Sequence, residues 1–176
     1  MSALRQSVFG LLDYAWGRVR GRMNGLGHEE YLWRAVALSW SVVPVAGRFE
    51  AEREQPPPDP EPVPTIAWLT WHIGPECLDG YTERYFGPGT RALQLERREW
   101  FGTPSGALEA LDVQWSLFRE RYGSIPDDVF GAPLGPSWGA YADKTPADAL
   151  QHVADEVVHH GAQVGMLRDL FRLRDL

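Results

Sequence analysis

Apolar residues recur at helical spacing in four long stretches of the chain. In the first, Leu4, Val8, Leu11, Leu12, Ala15, Trp16 and Val19 alternate with Arg5, Asp13, Arg18, Arg20 and Arg22, which predicts an amphipathic helix ended by Gly25 and Gly27. The second runs through residues 65–87, "TIAWLTWHIGPECLDGYTERYFG". Thr65 caps it, and Gly87, Pro88 and Gly89 stop it. Its first two turns are apolar almost all round, the mark of a helix with neighbours on several sides. Pro75 removes the hydrogen bond back to the carbonyl of Trp71, so a kink or local widening is expected there. The third stretch has Thr103 as cap, Pro104 in the first turn, a stripe of Leu108, Leu111, Trp115 and Phe118, and Gly123 at its end. The fourth repeats that start with Thr145, Pro146 and Asp148, then places Leu150, Val153, Val157, Val164, Leu167 and Phe171 at steps of three and four. Position 160 is the member missing from that series.

Between these stretches the pattern lapses. "YLWRAVALSWSVVPVAGRFEAER" is rich in Trp and Val without sustained alternation, and a short hairpin is the alternative to irregular chain. "QPPPDPEPVPT" holds six of the 14 prolines and reads as a stiff connector. "SIPDDVFGAPLGPSWGAYADK" is expected to be an ordered loop, since Val129, Phe130, Leu134, Trp138 and Tyr141 are unfavourable in water. Four long helices and no convincing sheet predict a single all-α domain, a four-helix bundle with long ordered loops, over residues 1–176.

Composition narrows the function. The 176 residues, 44% of them apolar, are enough for one domain with a real core. A net charge of -7 without a basic block argues against nucleic acid. No segment is long and apolar enough for a membrane span, and the N-terminus lacks the features of a signal peptide, so a cytoplasmic protein is expected. Cys77 is the only cysteine, so a metal site would have to use His, Asp or Glu.

The fourth helix carries such groups in "DEVVHHGAQVG". At about 100° per residue, His160 lies roughly 25° and Glu156 roughly 65° from the centre of the apolar stripe; His152 and His159 fall roughly 105° and 125° away. Glu156 and His160 therefore share a face on adjacent turns, while the other two belong on the flanks. A Glu and a His four residues apart can hold a cation, although a simple hydrogen bond between them also accounts for the pattern. His72, inside the most apolar helix, is the candidate third ligand, with Glu76 at i+4 as a substitute or outer partner. Two imidazoles and a carboxylate suit zinc with an open position, or non-haem iron.

"TIAWLTWHIG", "PSWGAYAD", "LQHVADEVVHHGAQVGMLRDLF" and "EEYLWRAVALSWSV" together resemble the DinB-like superfamily. This four-helix-bundle group includes mycothiol-dependent maleylpyruvate isomerase and related bacillithiol and mycothiol S-transferases. The resemblance covers nearly the whole chain and is strongest in the last helix. It implies a divalent metal held by His72, Glu156 and His160, zinc foremost with iron or nickel as alternatives; glutamate at position 156 resembles the mycothiol-dependent isomerase branch. It also implies a thiol transferase or isomerase acting on a small electrophile with a low-molecular-weight thiol such as mycothiol, and a homodimer. Metal-assisted hydrolysis, with Glu76 or Asp155 as base, and a non-catalytic metal-binding stress-response protein are the alternatives. Trp68, Trp138 and Tyr141 are candidate pocket walls, or packing residues. Arg168 would hold a substrate carboxylate or pair at the surface, and Cys77 is expected to pack.

Overall fold

A computed structural model describes residues 2–87 and 98–176. The protein is mostly helical, with helix α1 spanning Ala3–Arg22 and a short α2 at His28–Leu32. The central run comprises α3 (Ile66–Trp71), a π-helical segment (His72–Asp79) and α4 (Gly80–Phe86). Helix α5 covers Pro104–Gly123, α6 is one turn at Asp127–Phe130, a 3-10 turn follows at Pro136–Tyr141, and α7 spans Pro146–Leu173. Gly87 closes α4; the other two expected stop residues, Pro88 and Gly89, lie outside the described residues.

Three threonines start helices as their positions predict. The side chains of Thr65, Thr103 and Thr145 accept from the backbone N–H of Trp68, Gly106 and Asp148, each satisfying a donor that the first turn cannot. At Thr145 the Asp148 carboxylate reciprocates, accepting from the Thr145 N–H at 2.8 Å. The widening expected near Pro75 is the π segment itself, which begins at His72 and contains the proline.

Helix α1 lies along α7, while α5 packs on α3, the π segment and α4; α7 also meets α3 and the π segment. Helix α1 reaches α5 through Trp16 stacked on Trp115 at 4.6 Å and through the Arg20–Asp112 and Arg119–Asp13 ion pairs. Leu12, Leu69, Trp71, Leu111, Phe118, Val153, Val157 and Val164 fill the interior.

The expectation of no sheet is corrected by two small ones. Strands β1 (Ser39–Trp40) and β4 (Val63–Pro64) pair in parallel; β2 (Val42–Val45), β3 (Arg48–Ala51) and β5 (Glu99–Trp100) form an antiparallel sheet. β2 and β3 are the hairpin given above as the alternative. Its two-residue turn is Ala46–Gly47, both at positive φ (48° and 87°), a geometry that matches strand twist. The loop after α5 is also less buried than its composition suggests. Phe130 is enclosed, but Val129 and Tyr141 remain 40% and 46% exposed. Among the described residues no helix is long and apolar enough to cross a membrane.

Candidate metal centre

Helix α7 brings Glu156 and His160 to one side, one turn apart, opposite His72 at the start of the π segment. Glu156 Oε2 lies 3.2 Å from His72 Nε2 and 2.9 Å from His160 Nε2. One donor atom from each of the three residues lies within 4.8 Å of the other two. Their side chains are 21% (His72), 21% (Glu156) and 12% (His160) exposed, enough to be reached from solvent but not bathed in it.

The far nitrogen of each imidazole is occupied. His72 Nδ1 donates to Glu76 Oε2 at 2.7 Å, and Glu76 is in turn ion-paired to Arg53, the second residue after β3. His160 Nδ1 meets Gln163 Oε1 at 2.7 Å. A second constraint acts on the face of the His72 ring. Trp68 stacks on it, with ring centroids 5.1 Å apart and planes 8° from parallel, and Trp68 Nε1 donates to the Glu52 carbonyl at 2.8 Å. Residues 52 and 53 therefore hold His72 twice, at its edge through Glu76 and on its face through Trp68. Such outer partners fix ring orientation and leave the inner nitrogen aimed at the site.

The donor chemistry fits a cation. Glu76 can only accept, so the hydrogen on His72 sits at Nδ1. Burial pushes the His72 pKa below the usual imidazole value, against the Glu156 hydrogen bond, and so favours the neutral ring, whose Nε2 then carries a lone pair. That lone pair faces a carboxylate oxygen, itself an electron-pair donor. Its place between the imidazoles of His160 and then His72 holds the Glu156 carboxyl far below the usual carboxylate range, so it stays ionised at neutral pH. Three electron-pair donors around one point are what a divalent metal satisfies.

Trp68, His72, Glu156, His160 and Gln163 line an open pocket of about 640 Å³, walled elsewhere by Trp40, Pro62 and Pro64 and rimmed by Glu61, Asp155 and His159. A family model for the DinB superfamily matches residues 11–164. The chain belongs to that superfamily. No curated protein and no solved structure matches it.

The other candidates of this DinB-superfamily chain go elsewhere. His152 and His159 are exposed on the flanks of α7, as helical phase requires. Trp138 and Tyr141 stand in a separate cavity with Tyr81 and Arg84. Arg168 is neither a substrate clamp beside this pocket nor a surface residue. It is buried, donating to Glu30 Oε1 at 2.7 Å and to the carbonyl of Asn24 at 2.8 Å. Glu76 faces away from the open side and is held by Arg53, which removes it as a hydrolytic base. Cys77 is buried, and burial together with the Glu156 charge pushes its thiol pKa up, consistent with packing. Arg53 carries no sequence signal, because it sits in irregular chain after β3; Gln163 does carry one, since 156, 160 and 163 stand at i, i+4 and i+7 on one helical face.

The apolar series on α7 also needs one correction. Position 160 is not its missing core member; Gly161, four after Val157 and three before Val164, is. His160 lines the pocket beside it.

Proposed function

We propose that this chain holds a divalent metal, zinc foremost, through His72, Glu156 and His160, and uses it for thiol transfer or isomerisation with a low-molecular-weight thiol such as mycothiol. The four long helices act as a bundle of the DinB kind that presents these ligands at a pocket mouth. The convergence of two imidazole nitrogens and one ionised carboxylate oxygen carries the reading. A cation bound there would lower the pKa of an incoming thiol and present it as the thiolate nucleophile at neutral pH.

The protein's own groups have separable tasks. Glu76 and Gln163 orient the two imidazoles from outside. Trp68 fixes the His72 plane from within a stack that Trp40 closes on the other side. Asp155 and His159 stand at the rim, where either can take up the thiol proton. The wide mouth admits both a thiol and a small electrophile.

Metal content of purified protein tests the ligand set: His72→Ala, Glu156→Ala and His160→Ala each lose the metal, while His159→Ala keeps it. Retention in the His160 variant together with loss in the His159 variant would refute the assignment. Turnover of an electrophile panel that requires added thiol supports transfer; turnover without any thiol makes the protein a hydrolase, and a metal whose removal only lowers the melting temperature makes it a non-catalytic binder.

A further inference from the structure

A second cavity, of about 330 Å³, combines fixed positive charge with flat aromatic walls: Tyr81, Arg84, Trp138, Tyr141, Lys144 and His152 line it. The Arg84 guanidinium carbon lies 4.6 Å from the Trp138 ring centroid and 5.0 Å from that of Tyr141, so two rings hold the cation in place. Among the described residues no carboxylate forms an ion pair with Arg84, while Lys144 feels the Asp148 charge without an ion pair at contact distance. Arg5, Arg53, Arg119 and Arg174 also lie over aromatic rings, and each of those is ion-paired as well. Arg18 shares the lack of a partner but stands exposed on α1, whereas Arg84 is half-buried and faces a cavity. Asp148 is the one carboxylate on the lining, and its Oδ2 is engaged by the N–H and hydroxyl of Thr145 in the α7 cap.

A half-buried guanidinium clamped by rings, with no counter-charge among the described residues, is a prepared anion site. The indole and phenol faces beside it favour a planar partner. We propose that this cavity binds a small organic anion carrying a planar ring, an aromatic carboxylate, with the carboxylate on Arg84 and Lys144 and the ring against Trp138 and Tyr81. Its inner wall touches the metal-ligand cluster. The His152 ring lies 5.7 Å from that of Tyr81, and His152 Nε2 is 3.5 Å from Glu156 Oε1. A ligand seated against His152 ends about one helical turn, roughly 5 Å along α7, from Glu156, the nearest of the three donors. The site rests on Arg84 and its surroundings and stands whether or not the proposed thiol chemistry does.

Benzoate is the probe, titrated into the full chain by calorimetry, with benzamide (ring without charge) and cyclohexanecarboxylate (charge without ring) as comparators. Saturable benzoate binding is expected, with both comparators weaker by about fivefold or more. Arg84→Gln raises the benzoate Kd about tenfold, Lys144→Gln raises it less, and His160→Ala leaves it unchanged within about twofold. Thermal melts establish that each variant is folded; should Arg84→Gln fail that control, Trp138→Leu replaces it with the same expected direction. Absence of saturable binding overturns the proposal, as does equal affinity in the folded Arg84 or Trp138 variant. Binding that requires added metal or vanishes in His160→Ala also overturns it, because the benzoate would then sit on the metal ligands.

Discussion

His160 and Gly161 are consecutive on α7 and solve opposite problems. On the face with His160 and Glu156, long polar side chains reach across a gap toward His72, and the space left over is a pocket. On the neighbouring face the side chain is absent. A Cβ at Gly161 would lie 2.2 Å from Val19 Cγ2, and one at Gly165 would lie 2.4 Å from an Arg22 guanidinium nitrogen, so α1 rests almost on the α7 backbone. One helix thus closes a seam and holds open a site within a single residue's rotation.

The two faces can be broken independently. The largest effect is expected at 160 and 156, where truncation to alanine strips the metal yet leaves the variant melting close to metal-free wild type, as atomic analysis beside a thermal melt would show. Next is the end of the seam: Arg168→Ala leaves Glu30 charged and buried and is expected to destabilise by about 3–5 kcal/mol in denaturant titration. Replacing both Arg168 and Glu30 with apolar residues of similar size recovers much of that loss. Gly161→Val, which crowds Val19, is expected to lower stability by about 1–3 kcal/mol with metal stoichiometry retained. Loss of metal from that variant in its folded state would show that the faces are coupled more closely than their separation suggests. Arg53→Gln loosens the outer support of His72 and weakens metal affinity by about 10–100-fold in a chelator competition, with little change in melting temperature.

The smallest effect is on acid stability of the metal-free protein, and its sign follows from two depressed pKa values. Folded His72 takes up a proton less readily than unfolded His72, so its contribution is present above the ordinary imidazole value and fades as pH falls through the folded one. Glu156, also depressed, acts in the same direction at lower pH: its contribution is present above the ordinary carboxylate value and fades as pH falls through its folded value. Melting temperature is therefore level from about pH 8 to about pH 6.5, then declines on acidification. His72→Gln removes the upper part of that decline. A melting temperature that rises on acidification would contradict both assignments.

Helix starts were legible in the sequence because capping is local: Thr65, Thr103 and Thr145 each act on a neighbour three residues away. The inward face of Glu156 and His160 was legible too, since phase along one helix needs no partner. The seam was not. A helical wheel weighted by side-chain size has nothing to place at Gly161 and runs the core series through its larger neighbour. Arg168 was misread because its partner, Glu30, is 138 residues away and only the fold joins them. The hairpin turn uses Ala46–Gly47 rather than the Asn–Gly or Asp–Gly pairs that announce such turns. Arg53 and Glu52 reach His72 through that same hairpin, so the support of the site stayed hidden with it.

The π segment from His72 to Asp79 has a consequence for chain length. A wider turn stores extra backbone, and it lies between His72, in its first position, and Tyr81 and Arg84, just beyond its end. Removing one residue from residues 73–79 would let the helix revert to ordinary winding and swing everything downstream around the axis, while His72 and the capped start at Thr65 keep their places. The extra backbone of this turn sets the angle between the candidate ligands His72, Glu156 and His160 and the cationic cavity. A one-residue deletion there would present the same side chains of Tyr81 and Arg84 in a different direction from His72.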